Sequence, residues 1–248
     1  MADARSTRSD RELQDSLIAY LADANLRRAP SGLLPLSPEQ AQRAGRFARF
    51  LARRYYRDRL ARSFRYSRRF GAAAETLADT PVFNAFLDDC VLGSVASAER
   101  VAGLAVNHVN RFPAPGPWWS DLLQYERLFF LQAATTENAV PSASPQPSLS
   151  ARCHRFSWNL PELLLRLKSG VAVSAELRGE VTLLFSRTGL GRIYVVEVDA
   201  ATAAVFHAAS ARLSPEQITE MTSLPAATVQ QALAALAQVG ALATLSRG

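Results

Sequence analysis

Three histidines, two cysteines and one pair of adjacent acids are the side chains of this 248-residue sequence best suited to nucleophilic, acid–base or metal chemistry. Cys153 and His154 are consecutive, so on a strand they leave opposite faces, whereas a thiolate activated by an imidazole needs both groups on one side. Neither His108 nor His207 has a second ligand candidate at metal-binding spacing. Asp88 and Asp89 would suit paired-carboxylate chemistry, but they follow Phe83 and Phe86 and read as the solvated face of a helix. The stretch "RTGLGR", 187–192, has two glycines inside a hairpin-like turn, not at the strand-to-helix junction where glycines cradle phosphate. The sequence names no catalytic residue and no metal ligand on this chain.

The elements that must position these groups change character along the chain. Leu13, Leu17, Tyr20 and Leu21 fall at helical spacing before the Pro/Gly-rich "APSGLLPLSP". Ser37-Pro38-Glu39-Gln40 then predicts a capping box with proline at the first helical position. The following helix sets Phe47, Phe50, Leu51 and Tyr55 on one face and Arg46, Arg49, Arg53 and Arg57 on another; past Arg57 the phase fails, which predicts either two-sided burial or a break. Further helices are expected at "TPVFNAFLDDCVLGSV", "SAERVAGLAVNHVNRF" and "WWSDLLQYERLFFLQAATTENA". After the Pro/Ser-rich "NAVPSASPQPSLSA", "CHRFSW" alternates as a strand does, "LPELLLRLKSG" reads as a short helix, and "GEVTLLFSRTGLGRIYVVEVD" reads as a β-hairpin. Three helices close the chain, the second capped by Ser214 before Pro215. The expected fold is α+β: a helical bundle over 1–137, a linker over 138–151, and a winged-helix-like domain over 152–248.

Charge and aromatic placement point to surfaces. The net charge is +6, yet the segment from Arg43 to Arg69 holds eleven arginines against the single acid Asp58, a local +10 that leaves −4 elsewhere. Arginine with the aromatic-rich helix from Trp118 to Phe130 is the composition that protein interfaces concentrate. The last helix, "LPAATVQQALAALAQVGALATL", has the layout of a DNA-recognition helix but no lysine or arginine to neutralise phosphate. A groove between that uncharged helix and a sheet edge suits an extended peptide, with Ile193, Tyr194, Val195, Val196 and Glu197 on the strand and Val229, Ala232, Leu233 and Leu236 on the helix. A winged-helix DNA-binding regulator is the alternative. Two cysteines suit a reducing cytosol, and no apolar run approaches the roughly 18 residues of a membrane span, so a cytoplasmic protein is expected, without membrane or nucleic-acid partners.

Two stretches carry a family resemblance. "RIYVVEVDAATAAVFHAASARLSPEQITEMTSLPAATVQQALAALAQVGAL" resembles PqqD-like peptide-recognition elements, in which a strand runs into three helices. "RFARFLARRYYRDRLARSFRYSRRF" with "WWSDLLQYERLFFLQAA" looks like the partner proteins of DUF692-type iron oxidases, and the match is nearest to the C-component family of methanobactin biosynthesis. The resemblance implies a required accessory subunit without an active site or cofactor of its own, paired as a heterodimer with an oxidase that holds the iron and converts precursor-peptide cysteines to oxazolone and thioamide. It implies that Ile193–Glu197 and the stripe Val229, Leu233 and Leu236 touch the leader peptide, and that Arg57, Arg65, Tyr66, Trp119, Tyr125 and Glu126 structure or dock the helical half.

Overall fold

The computed structural model describes residues 10–28, 34, 36–136 and 145–243. Helices α1 (Asp10–Ala22), α2 (Ala24–Arg28), α3 (Pro38–Ser63), α4 (Pro81–Leu87), α5 (Val95–Val109) and α6 (Trp119–Ala134) come first, with 3-10 turns at Ser67–Phe70 and Ala74–Asp79. Strand β1 (Arg152–Trp158), helix α7 (Leu160–Ser169), strands β2 (Arg178–Arg187) and β3 (Ile193–Glu197), and helices α8 (Ala200–Ala209), α9 (Pro215–Thr222) and α10 (Ala226–Gln238) complete an α+β fold.

Local chemistry starts the helices. Ser37 accepts from the Gln40 N–H at 3.3 Å while Gln40 Oε1 accepts from the Ser37 N–H at 2.8 Å, closing the capping box and leaving Pro38 where no N–H is required. Ser214 and Gln217 repeat the device at α9. From its cap α3 runs unbroken to Ser63, and its buried row is Ala48, Ala52, Tyr56 and Leu60 at strict four-residue spacing. That row corrects the expected apolar face: Phe47 and Phe50 are 51% and 57% exposed, stacked on each other at 6.5 Å on the outer side of the helix. The phase change past Arg57 marks the true buried face, set by small alanines that periodicity undervalued. Leu13 and Leu17 of α1 are likewise more exposed than their spacing predicts, at 39% and 41%.

Tyr56 sits at the centre of the bundle, its ring meeting Phe86 at 5.6 Å and Phe83 and Phe130 at 6.4 Å each. This core does not stop at the end of the bundle. It continues through α6 onto one face of the sheet, taking in Phe156, Trp158, Val181, Leu183 and Phe185, with Tyr125 of α6 against Phe185 at 5.6 Å. The opposite sheet face, with Cys153, Leu184, Val196 and Val198, packs on Val205, Phe206, Ile218, Val229 and Leu236 of the last three helices. The sheet is thus the middle layer of three, antiparallel in the order β1-β2-β3.

This layering bears on the expected linker. Residues 137–144 lie outside the described residues, but Ser148 N–H donates to Ala241 O and Ala243 N–H to Gln146 O, each at 2.8 Å. Ser150 Oγ donates to Gln132 Oε1 at 3.0 Å inside the protein. The described end of the segment is therefore a tethered strap, and the two halves share a core where separate domains were expected.

Candidate functional site

The hairpin geometry decides which backbone groups of β3 are free. Thr188 N–H donates to Arg192 O and Val198 N–H to Thr182 O, both at 3.0 Å, and between them Ser186 faces Tyr194 and Leu184 faces Val196. Antiparallel alternation then turns the N–H and C=O of Tyr194 and Val196 toward β2, and those of Ile193, Val195 and Glu197 outward. Among the described residues no strand or loop bonds to that outward edge.

The other edge is obstructed. By the same alternation Ser157 of β1 points outward, and its N–H donates to Asp121 of α6 at 2.7 Å, joined by the Trp158 N–H at 3.1 Å beyond a register shift. A carboxylate seated on an edge blocks strand addition there. Among the described residues the sheet therefore offers one unobstructed edge, β3.

Side chains of β3 divide between the layers: Val195 packs on the bundle-side core and Val196 on the three-helix core. All but the exposed Glu197 are half-buried. The helix side of the expected groove needs correction. Val229, Ala232 and Leu236 are buried as the internal face of α10, so they hold the three-helix core together and present no groove; only Leu233 is half-buried. The apolar stripe that suggested a binding face is the face that folds the domain. Gly240, just past α10, has φ +73°, and a Cβ there would lie 2.8 Å from Arg187 O, so glycine lets the end of α10 close onto β2.

The six residues expected to structure or dock the helical half also divide. Tyr66, Trp119, Tyr125 and Glu126 are interior, so this chain offers no surface through them. Arg57 and Arg65 are exposed; Arg57 lies 3.7 Å from Asp79, and Arg65 stacks over Tyr66 while donating to its hydroxyl at 3.0 Å. Glu126 is fully buried, with Oε1 accepting from the Tyr66 and Ser67 N–H groups at 2.7 and 3.1 Å and Oε2 without a partner. Its role is to cap the turn that ends α3. Burial pushes its pKa up to about 7, against the pull of those N–H groups and Arg65.

Much of the arginine-rich segment is answered within the chain: Arg49 pairs with Asp88, Arg53 donates to Asn84 and Arg68 pairs with Glu75 at 3.2 Å, while Arg28 and Arg100, outside the segment, pair with Asp89. Asp88 and Asp89 serve as counter-ions for α2, α3 and α5. The burial of Cys153 pushes its thiol up to about 11, far from thiolate at neutral pH. Among the described residues no three His, Cys, Asp or Glu side chains group as a metal site, and no helix is long and apolar enough to cross a membrane.

Three residues that matter here carry no motif. Asp121 reads in sequence as an acid favourable in the first turn of a helix. Arg59 and Arg187 disappear among 28 basic residues. Their placement, Asp121 on the β1 edge and Arg59 and Arg187 at the end of α6, is a tertiary fact. The chain matches no protein-family model and no curated protein.

Proposed function

We propose that this protein is a peptide-binding accessory subunit, which receives the leader of a ribosomally made precursor as an added strand on β3 and presents it to a DUF692-type iron oxidase. The oxidase partner holds the iron and converts precursor cysteines to oxazolone and thioamide groups; this chain supplies recognition and docking. The observation that carries the reading is the outward row of N–H and C=O groups at Ile193, Val195 and Glu197, in a sheet whose other edge Asp121 obstructs. Each main-chain bond to an incoming strand contributes about 1 kcal/mol net, and alternate side chains of the guest meet the bundle side and the helix side. The uncharged α10 argues against the alternative, a recognition helix on a phosphate backbone.

The test is co-expression with a DUF692-type oxidase and its precursor peptide, followed by size-exclusion chromatography and iron analysis. A ternary complex with iron on the oxidase is expected. Val195→Pro removes an outward N–H while the Tyr194 and Val196 bonds to β2 remain, so it should release the peptide and leave the oxidase bound. Separate elution of oxidase and this chain would overturn the docking role, and full peptide retention by the proline variant would overturn the edge.

A further inference from the structure

The two ends of the β3 edge differ in charge. At the Ile193 end, Arg187 sits beside Ile193 in register and its side chain, on the bundle face, donates to Thr135 O at the C-terminus of α6. Arg59 of α3 reaches the same helix end, donating to Ala133 O at 2.9 Å while its guanidinium lies 3.3 Å above the Tyr55 ring. Arg192 stands on the other side of the strand, over the Tyr194 ring at 5.0 Å. Among the described residues none of these three arginines forms an ion pair. At the other end stand Glu197, exposed, and Asp199, the exposed N-cap of α8.

Capping the carbonyls at the end of α6 uses Arg59 Nε and Arg187 Nη1, and Arg59 Nη1 donates to Tyr55 O at 3.1 Å. This leaves guanidinium donors over, held together without a counter-ion in a half-buried position. Burial lowers the pKa of Arg59, and Arg187 and Arg62 push in the same direction, so the cations crowd one another. An anion arriving there meets donors already oriented and relieves the repulsion between them.

We infer that the β3 edge selects for a carboxylate: the segment that adds as a strand carries an aspartate or glutamate beside Ile193, pointing to the bundle face and read there by Arg59 and Arg187. The acidic far end disfavours a second carboxylate beside Glu197 and favours a basic residue, so the preferred guest has an acid and a base about four residues apart, the span of β3. Charge polarity also sets the guest's direction along the edge. This inference rests on the reading of β3 as a peptide-binding edge and adds which peptides it takes.

The test selects random displayed peptides, long enough to span the edge, on the full chain, and keeps those whose binding Val195→Pro abolishes. An acidic residue enriched at one fixed position is expected. Replacing that residue by its amide in a synthetic peptide should weaken binding about tenfold, the loss of one charge-assisted hydrogen-bonded contact. Arg187→Gln should reduce the preference for acid over amide, whereas Arg192→Gln, whose side chain lies on the opposite face over Tyr194, should leave it unchanged; an equal loss in both variants would overturn the assignment to the bundle face. Proline-sensitive binders without an acidic position would overturn the carboxylate preference and leave the edge standing. A selection that yields no proline-sensitive binder would overturn the edge itself, and the inference with it.

Discussion

Glu126→Gln separates burial from charge at the one fully buried carboxylate among the described residues. In the folded protein this acid titrates near 7, against 4.5 when unfolded, because burial penalises its anion more than the Tyr66 and Ser67 N–H groups reward it. A raised acid pKa means that between pH 4.5 and 7 the folded chain holds a proton the unfolded chain has lost, so stability falls as pH rises through that window. The shift corresponds to about 3 kcal/mol, fully felt above pH 7 and absent below pH 4.5. Glutamine keeps an oxygen for the two N–H groups and cannot ionise; its buried amide nitrogen adds a penalty that does not vary with pH. Urea unfolding of both proteins from pH 5 to pH 8 should show the difference between them moving by about 2.5 kcal/mol in favour of the variant as pH rises, part of the shift being already present at pH 5. His108 and His154, whose pKa values burial lowers, make stability rise with pH over their own range, but they are common to both proteins and cancel in the difference. A difference constant to within about 0.5 kcal/mol would refute the reasoning and show that the backbone N–H groups hold the carboxylate ionised at ordinary pH.

Other expectations follow from packing and edges. Gly240→Ala must place a side chain at positive φ and against the Arg187 backbone, and should destabilise by about 1–3 kcal/mol in thermal or chemical unfolding; an unchanged midpoint would mean that α10 and β2 separate freely. Asp121→Ala removes the acceptor of the Ser157 and Trp158 N–H groups. It should cost about 1–3 kcal/mol and, by opening the β1 edge, raise self-association in light scattering. Phe130→Ala empties the site between Tyr56 and Phe64, and a loss of about 3–5 kcal/mol is expected from equilibrium unfolding.

Helix starts were legible because capping is local: Ser37 and Ser214 each find their partner three residues on, and the box expected at Ser37 and the cap expected at Ser214 are present. The hairpin was legible for the same reason, since strand alternation and a glycine-bearing turn lie within about twenty residues of each other. Faces were harder. On α3 the sequence shows Phe47 and Phe50 as the conspicuous apolar residues, yet the alanines at 48 and 52 face inward, because a close helix-to-helix approach selects small side chains and hydropathy alone ranks phenylalanine above them. The stripe on α10 was visible as apolar and uncharged, but a stripe that folds a three-helix group and one that lines a groove have the same spacing.

What the sequence by itself determined is the order and type of elements, the +10 segment, the absence of cations on the last helix and the alternation of Ile193 to Glu197. Each follows from residues within a few positions of one another. Only the tertiary structure decided that the sheet is sandwiched between two layers, that Asp121 obstructs β1 while no described residue bonds to the outer edge of β3, that Glu126 caps a turn sixty residues away, and that Arg59 and Arg187 meet at one end of α6. These depend on contacts between distant segments, where burial and pairing are set by what the rest of the chain brings alongside.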